Sequence, residues 1–213
     1  IEVAGTFLGD NIGDLEKLGK VDALIDFSSP AALPAVAAYI RRTGAALVCG
    51  TTGYSAEEAA EIRSLAECAP VILSANYSVG VAVLKHLSAE AAKLLGDDFD
   101  IEIVETHHRM KADAPSGTAK LLLRAIDPEG RRRTVYGREG MMKREGNEIG
   151  VHAVRGGTVA GVHTVSFFGP DEELSLTHRA ESRRIFALGA IKAGERLKDR
   201  APGWYTMDDL LFS

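Results

Sequence analysis

The chain has 213 residues, of which 46% are hydrophobic and 26% are charged, and this composition is typical of a soluble globular protein. Its net charge of −5 at pH 7 argues against nucleic acid as the main partner. No apolar stretch approaches the roughly 18 residues that a membrane-spanning helix needs, so we expect no membrane association.

The two cysteines, Cys49 and Cys68, do not form a CxxC motif and do not indicate a disulfide framework. A cytoplasmic location is therefore expected. The chain begins at Ile1 rather than at a methionine and opens within a strand-like segment. We interpret it as a fragment that lacks its true start.

Strand-like and helix-like segments alternate in the first 80 residues. Short apolar stretches at 21–27, 45–49 and 70–74 are separated by helical patterns at 31–42 and 55–66. This alternation predicts βαβ units with right-handed crossovers and a parallel sheet.

The ends of these three strands carry small, hydroxylated or amide residues. They are Asp26-Phe-Ser-Ser, Cys49-Gly-Thr-Thr-Gly and Ser74-Ala-Asn-Tyr-Ser. Because parallel sheets bind ligands at the carboxyl ends of their strands, the three segments predict a cleft for a polar cofactor.

The segment from Glu105 to Ala119 reads Glu-Thr-His-His-Arg-Met-Lys-Ala-Asp-Ala-Pro-Ser-Gly-Thr-Ala and follows an alternating strand at 100–105. His107, His108 and Lys111 offer proton donors and positive charge at the strand end. Successive strand residues point to opposite faces, so the two histidines are expected to have different roles.

Ser116 is a good N-cap for a helix that continues to residue 126, and the turn Ser116-Gly117-Thr118 offers backbone N–H groups that bind anions. A proton donor beside such a turn predicts an enzyme that acts on a small acidic substrate. We expect no metal site, because no cysteine or third histidine follows the pair at ligand spacing.

The rest of the chain has a different pattern. A helix at 79–95 precedes the motif, and β-like stretches follow at 149–154, 158–168 and 174–180, with a last helix at 184–200. The pair Gly156-Gly157 predicts a hairpin between the first two stretches. We expect an antiparallel or mixed sheet in a second domain, with an uncovered apolar face that favours a homo-oligomer.

These motifs together resemble one family along the chain from about residue 20 to the C-terminus. The matching pieces are Ile25-Asp-Phe-Ser, Gly50-Thr-Thr-Gly-Tyr, Ala75-Asn-Tyr-Ser-Val-Gly-Val, Glu105 to Thr118, and Thr177-His-Arg-Ala-Glu-Ser-Arg. The chain resembles 4-hydroxy-tetrahydrodipicolinate reductase, also called dihydrodipicolinate reductase, of lysine and diaminopimelate biosynthesis.

The resemblance implies a reduction of 4-hydroxy-tetrahydrodipicolinate by NADH or NADPH. It implies that His107 is the catalytic acid, that Lys111 supports protonation, and that the dicarboxylate substrate is bound by His108, Lys111, Gly117 and Thr118. The residues that it implies for the nicotinamide half of the cofactor are Phe27, Gly50, Thr51, Thr52, Ser74, Ala75, Asn76 and Tyr77.

The implied architecture is a Rossmann-like nucleotide-binding domain at 1–79 and 188–213, incomplete at its N-terminus. A second α+β domain at 80–187 binds substrate and forms a homotetramer. The family begins with a strand and a glycine-rich phosphate turn, and Gly5, Gly9 and Gly13 do not form one. We therefore expect weak cofactor binding by this chain.

Two alternatives remain open. One is another nicotinamide-dependent reductase of an acidic substrate, and the other is a truncated, non-catalytic relative that oligomerises and binds dicarboxylate.

Overall fold

The computed structural model describes residues 1–212, and the chain divides into two compact units. Unit 1 comprises Ile1–Ser78 and the chain from Phe186 onward, and unit 2 comprises Val79–Ile185. Each unit has its own sheet and its own buried apolar cluster. No helix among the described residues is long and apolar enough to cross a membrane.

The strands in chain order are β1 (Ala23–Asp26), β2 (Ala46–Cys49), β3 (Pro70–Leu73), β4 (Asp100–His107), β5 (Arg133–Tyr136), β6 (Glu148–Arg155), β7 (Gly161–Gly169), β8 (Glu172–Ala180) and β9 (Gly203–Tyr205). The α-helices are α1 (Leu33–Thr43), α2 (Ala56–Ser64), α3 (Val79–Leu95), α4 (Gly117–Ile126), α5 (Arg184–Leu197) and α6 (Met207–Leu211). Short 3₁₀ segments occupy Gly9–Lys17, Pro30–Ala32, Leu65–Glu67 and Gly96–Asp98.

Unit 1 contains a four-stranded parallel sheet in the order β1-β2-β3-β9. The predicted parallel sheet and its alternation with helices are confirmed, with each strand slightly shorter than expected. Strand β9 was not predicted, because its three residues are too few to show a periodicity. It pairs with β3 from more than a hundred residues away in the chain.

Local sequence signals explain where the helices of unit 1 begin and end. Ser55 caps α2, since its hydroxyl accepts from the Glu58 N–H at 3.2 Å while its own N–H donates to the Glu58 carboxylate at 2.7 Å. Helix α1 ends at Gly44, whose φ of 63° is left-handed and favours glycine. Helix α5 passes so close to Tyr77 that a Cβ on Gly189 would lie 1.7 Å from its carbonyl oxygen.

Unit 2 contains a five-stranded mixed sheet in the order β5-β6-β4-β7-β8. Strand β4 pairs with β6 in parallel and with β7 in antiparallel orientation. The predicted mixed sheet is confirmed. Helices α3 and α4 pack on one face, with a core of Leu84, Ile101, Ile103, Ala119, Leu122, Ile149, Val151, Val165 and Phe167.

The hairpin predicted at Gly156-Gly157 is wrong, because β4 lies between β6 and β7. The glycine pair instead crosses the end of β4. There, the Gly156 N–H donates to the His107 carbonyl at 2.9 Å and the Arg109 N–H donates to the Gly157 carbonyl at 3.2 Å. The true hairpin joins β7 to β8, and its turn includes Asp171 in the left-handed region at a φ of 60°.

Strand β4 determines where the site lies. Burial alternates along it, so that Ile101, Ile103, Glu105 and His107 are buried while the residues between them are partly or fully exposed. The strand places a carboxylate and an imidazole side by side on its buried face, at its carboxyl end.

Candidate active site

A buried carboxylate lies at the centre of the candidate site in unit 2. Glu105 has no exposed surface, and each of its oxygens accepts two hydrogen bonds. Oε2 accepts from His107 Nδ1 at 2.5 Å and from Arg155 Nη1 at 2.8 Å. Oε1 accepts from Arg155 Nη2 at 2.8 Å and from the Ser116 N–H at 2.9 Å. One side chain therefore connects β4, β6 and the start of α4.

These donors keep Glu105 ionised. Burial raises the pKa of a carboxyl group, but the hydrogen bonds from Arg155, His107 and Ser116 outweigh it and hold the pKa of Glu105 below its usual value. An ionised carboxylate is an acceptor only, so His107 Nδ1 must carry the shared hydrogen. The other ring nitrogen of His107, Nε2, is the one that does not contact this carboxylate.

Gly161 leaves room beside this second nitrogen. A Cβ on Gly161 would lie 3.1 Å from His107 Nε2 and 3.4 Å from His107 Cδ2, so that any other residue would crowd the ring. His107 itself is 9% exposed, which leaves a small accessible part of the ring. A buried ring with one anchored and one uncrowded nitrogen has the features of a proton donor.

A second histidine, His163 on β7, packs against the first. The two rings meet edge to face with centroids 5.0 Å apart, and His163 Nε2 lies 3.2 Å from the Ser116 hydroxyl. Burial, reinforced by the neighbouring His107, lowers the pKa of His163 to about 4. His163 is thus neutral at physiological pH and does not compete as a proton donor.

The start of α4 has the cap that the sequence predicts, and its geometry suits an anion. Ser116 caps the helix, since its hydroxyl accepts from the Ala119 N–H at 3.1 Å. The N–H groups of a first helical turn have no partner within the helix and carry the positive end of its dipole. Gly117 is exposed, and no heavy atom lies within 4 Å of the place where its Cβ would be. A carboxylate can therefore approach the turn closely.

Lys111 and His108 lie in the loop between β4 and α4. The ammonium group of Lys111 is 2.7 Å from the Asp113 carboxylate, and Arg155 Nη2 donates to the Asp113 carbonyl at 2.7 Å. His108 lines a cavity of about 390 Å³, whose other lining residues are Arg109, Met110, Gly157 and Thr158. The loop thus carries cationic groups and is tied to the Glu105 cluster through Arg155.

Unit 1 presents the candidate cofactor residues along one edge of its sheet, at the ends of β1, β2 and β3. The Phe27 ring is 51% exposed and lies over Gly50, where a Cβ would be only 2.3 Å from a ring carbon. Tyr77 supports Phe27 with ring centroids 5.6 Å apart, and its hydroxyl donates to the carbonyls of Cys49 and Ile72. The absence of a side chain at residue 50 therefore leaves the space that the Phe27 ring occupies.

A buried carboxylate also organises this edge. Asp26 accepts from the Ser28 N–H at 3.0 Å and from the Thr51 hydroxyl at 3.0 Å. Thr52 and Ala75 are exposed beside it. Ser74 and Asn76 are tied into their own turn, since the Ser74 hydroxyl donates to the Asn76 carbonyl at 2.9 Å. The eight predicted residues are thus held at one edge, some as surface and some as support.

Sequence reasoning missed several residues of these clusters. Arg155 is 50 residues from Glu105, and His163 is 47 residues from Ser116. No local pattern indicated either contact, and neither Glu105 nor Asp26 had been assigned a role. Among residues 1–212, no group of three or more His, Cys, Asp or Glu side chains could hold a metal ion.

The chain matches two family models and several curated relatives over most of its length. The family model described as dihydrodipicolinate reductase, N-terminus, matches residues 2–77, and the model described as dihydrodipicolinate reductase, C-terminus, matches residues 80–211. The 4-hydroxy-tetrahydrodipicolinate reductase of Methanocorpusculum labreanum is 47% identical over 214 residues, which cover 97% of this chain and 84% of that protein. That of Clostridium novyi is 43% identical over 196 residues, which cover 91% of this chain and 78% of that protein.

The fold also matches a solved structure, the dipicolinate-bound dihydrodipicolinate reductase from Paenisporosarcina sp. TG-14. It has a TM-score of 0.74 and 21% identity, and the match covers 94% of this chain and 77% of that one. The matched proteins belong to the class of NAD(P)H-dependent oxidoreductases, and so does this chain. Within that class, the chain belongs to the dihydrodipicolinate reductase family, which confirms the resemblance drawn from the sequence.

The lowered pKa of His163 predicts an acid-sensitive step in stability. Between pH 6.5 and about 4 the unfolded chain protonates this histidine while the folded chain does not, so the free energy of unfolding falls as the pH falls through this window. Across this window the protonation of His163 in the unfolded chain lowers the free energy of unfolding by about 3 kcal/mol. We expect His163→Gln to flatten the dependence in urea unfolding series at several pH values. His86→Gln, at a half-buried histidine on α3, is the control, and an equal slope in wild type and His163→Gln would contradict the assignment.

Proposed function

We propose that this protein catalyses the NAD(P)H-dependent reduction of 4-hydroxy-tetrahydrodipicolinate to tetrahydrodipicolinate in lysine and diaminopimelate biosynthesis. Family membership supports the reaction class. The single structural observation that carries the proposal is the buried Glu105 carboxylate, which joins an imidazole to an anion-binding turn.

Unit 1 fits the nicotinamide half of NADH or NADPH. The exposed Phe27 ring over Gly50 offers an apolar surface, and Thr51, Thr52 and Ala75 follow the ends of the two neighbouring strands with small side chains. Ser74, Asn76 and Tyr77 hold the adjoining turn in place from below. When bound, the reduced cofactor supplies a hydride to the conjugated ring of the substrate.

His107 is the proposed general acid. The acid is the doubly protonated ring, in which Glu105 holds the Nδ1–H and the second proton lies on Nε2. Nε2 gives that proton to the substrate nitrogen as negative charge develops there, and the ring returns to the neutral form with hydrogen on Nδ1. Lys111 places a positive charge in the same loop and stabilises that developing negative charge. His163 remains neutral beside the acid and leaves the proton transfer to His107.

The proposed substrate carries two carboxylates, so the protein needs an anion-binding group for each of them. The first-turn N–H groups of Gly117 and Thr118 are the proposed site for one, because the helix dipole and the absence of a side chain on Gly117 favour a close anion. His108 and Lys111 are the proposed partners of the other. This division gives unit 2 the substrate and unit 1 the nucleotide.

We further propose a cytoplasmic homotetramer built on the second face of the unit 2 sheet. On that face Val104, Val154 and Phe168 are between 38% and 47% exposed. Cys49 and Cys68 are both free thiols, as a reducing compartment allows.

The acid role is tested by His107→Gln. General acid catalysis contributes roughly 10²–10⁴-fold to such steps, so its loss should lower kcat by at least about tenfold. The thermal midpoint should stay near that of wild type. The measurement is the loss of nicotinamide absorbance at saturating substrate. His108→Gln is the matched comparison and should raise the substrate KM more than it lowers kcat. Near-normal turnover by His107→Gln would remove this residue from the acid role.

The anion-binding turn is tested by Gly117→Val. The fold has room for this side chain, so its effect should come from covering the first-turn N–H groups. We expect the affinity for the inhibitor pyridine-2,6-dicarboxylate to fall at least tenfold in calorimetric titration. Gly146→Val, at an equally open glycine in the β5–β6 loop, is the control. If both variants bind the inhibitor like wild type, the carboxylate is bound elsewhere.

The oligomer is tested by light scattering at micromolar concentration, where we expect the mass of a tetramer. Phe168→Asp should shift the mass toward smaller species, because it buries a charge in the proposed interface. A monomeric wild-type chain would contradict the proposal.

A further inference from the structure

Glu105 and Arg155 connect the proposed proton donor to the proposed anion-binding turn, and neither residue belongs to the proposed catalytic set. Arg155 binds both oxygens of Glu105 through its two terminal nitrogens, at 2.8 Å each. A paired guanidinium and carboxylate of this kind fix orientation as well as charge. The remaining donors to the carboxylate belong to His107 and to Ser116.

We propose that Glu105 and Arg155 are a positioning pair that holds His107 in the tautomer with hydrogen on Nδ1, and that ties it to the start of α4. This inference rests on the proposed function. The pair touches neither substrate nor cofactor in the proposal and acts through His107.

The tautomer follows from the donors that surround Glu105. Arg155 and the Ser116 N–H can only donate, so the carboxylate oxygens that receive them have no proton to offer His107. The hydrogen in the 2.5 Å contact therefore belongs to Nδ1. Without this partner a neutral histidine would be free to place its hydrogen on Nε2, the nitrogen that Gly161 leaves uncrowded.

The same carboxylate sets the distance between acid and anion site. Glu105 Oε1 accepts from the backbone of Ser116, whose hydroxyl caps α4. Arg155 also donates to the Asp113 carbonyl, in the loop that carries Lys111. The elements that would contact the substrate are thus attached to one ion pair. Misplacement of a catalytic group by about 1 Å can cost on the order of a hundredfold in rate.

A purely structural role is the alternative, since a buried ion pair that loses one partner is destabilised. The test therefore uses two variants. Glu105→Gln keeps the shape and removes the charge. The double variant Glu105→Leu with Arg155→Met removes both charges, a replacement that buried pairs often tolerate. Thermal midpoints establish which of the two remains folded.

The decisive measurement is the ¹⁵N NMR tautomer signature of His107 above pH 8, assigned with the His107→Gln spectrum as a blank. We expect hydrogen on Nδ1 in wild type and a shift toward Nε2 in each folded variant. Glu102→Gln is the matched control, because Glu102 also pairs with a histidine and with arginines but lies on the opposite face of β4. It should leave the His107 signature unchanged.

Activity provides the second measurement. In each folded variant kcat should fall at least tenfold, and by a larger factor than KM rises, because the proton transfer that the pair supports is itself worth roughly 10²–10⁴-fold. A His107 tautomer on Nε2 in wild type, an unchanged tautomer in the double variant, or a kcat within threefold of wild type would each overturn the inference. If wild type fails to reduce the substrate at all, the proposed function fails, and the tautomer signature alone decides the role of the pair.

Discussion

The ion pair between Glu105 and Arg155 is the interaction on which the rest of the candidate site depends. An isolated carboxylate without exposed surface would be strongly unfavourable, so the fold must supply donors for it. It does so from β6, from the residue that caps α4, and from the neighbouring His107. The charge is stable only when these elements are correctly placed, and their placement creates the site.

The two units use different chemistry for their candidate sites. Unit 2 gathers ionisable groups and stabilises its buried carboxylate with a guanidinium. Unit 1 stabilises the carboxylate of Asp26 with hydroxyl and backbone donors from Ser28 and Thr51. The first arrangement is suited to moving a proton and holding a dianion. The second leaves a surface of small and aromatic residues, which suits a planar ring that brings its own reactivity.

Several expectations from the sequence were correct because they depended on neighbouring residues. Ser55 and Ser116 cap their helices with short-range hydrogen bonds, and the alternation along β4 placed His107 on a defined face. The hairpin at Gly156-Gly157 failed because a glycine pair allows a sharp turn but does not determine which strand is the neighbour. Strand β4 occupies that place, and its pairing with both β6 and β7 depends on residues about 45–70 positions further along the chain.

The sequence by itself determined the alternation of strands and helices in the first 80 residues, the parallel orientation of those strands, the capped turn at Ser116 and the histidines at the end of β4. These are properties of residues within a few positions of one another, and periodicity and capping act over that range. Only the tertiary structure decided that Arg155 and His163 meet Glu105, His107 and Ser116, and that Gly161 opens the space beside the ring. Such contacts join residues that are about 50 positions apart, because strand order and register bring them together and no local pattern encodes which distant partner a buried charge will find.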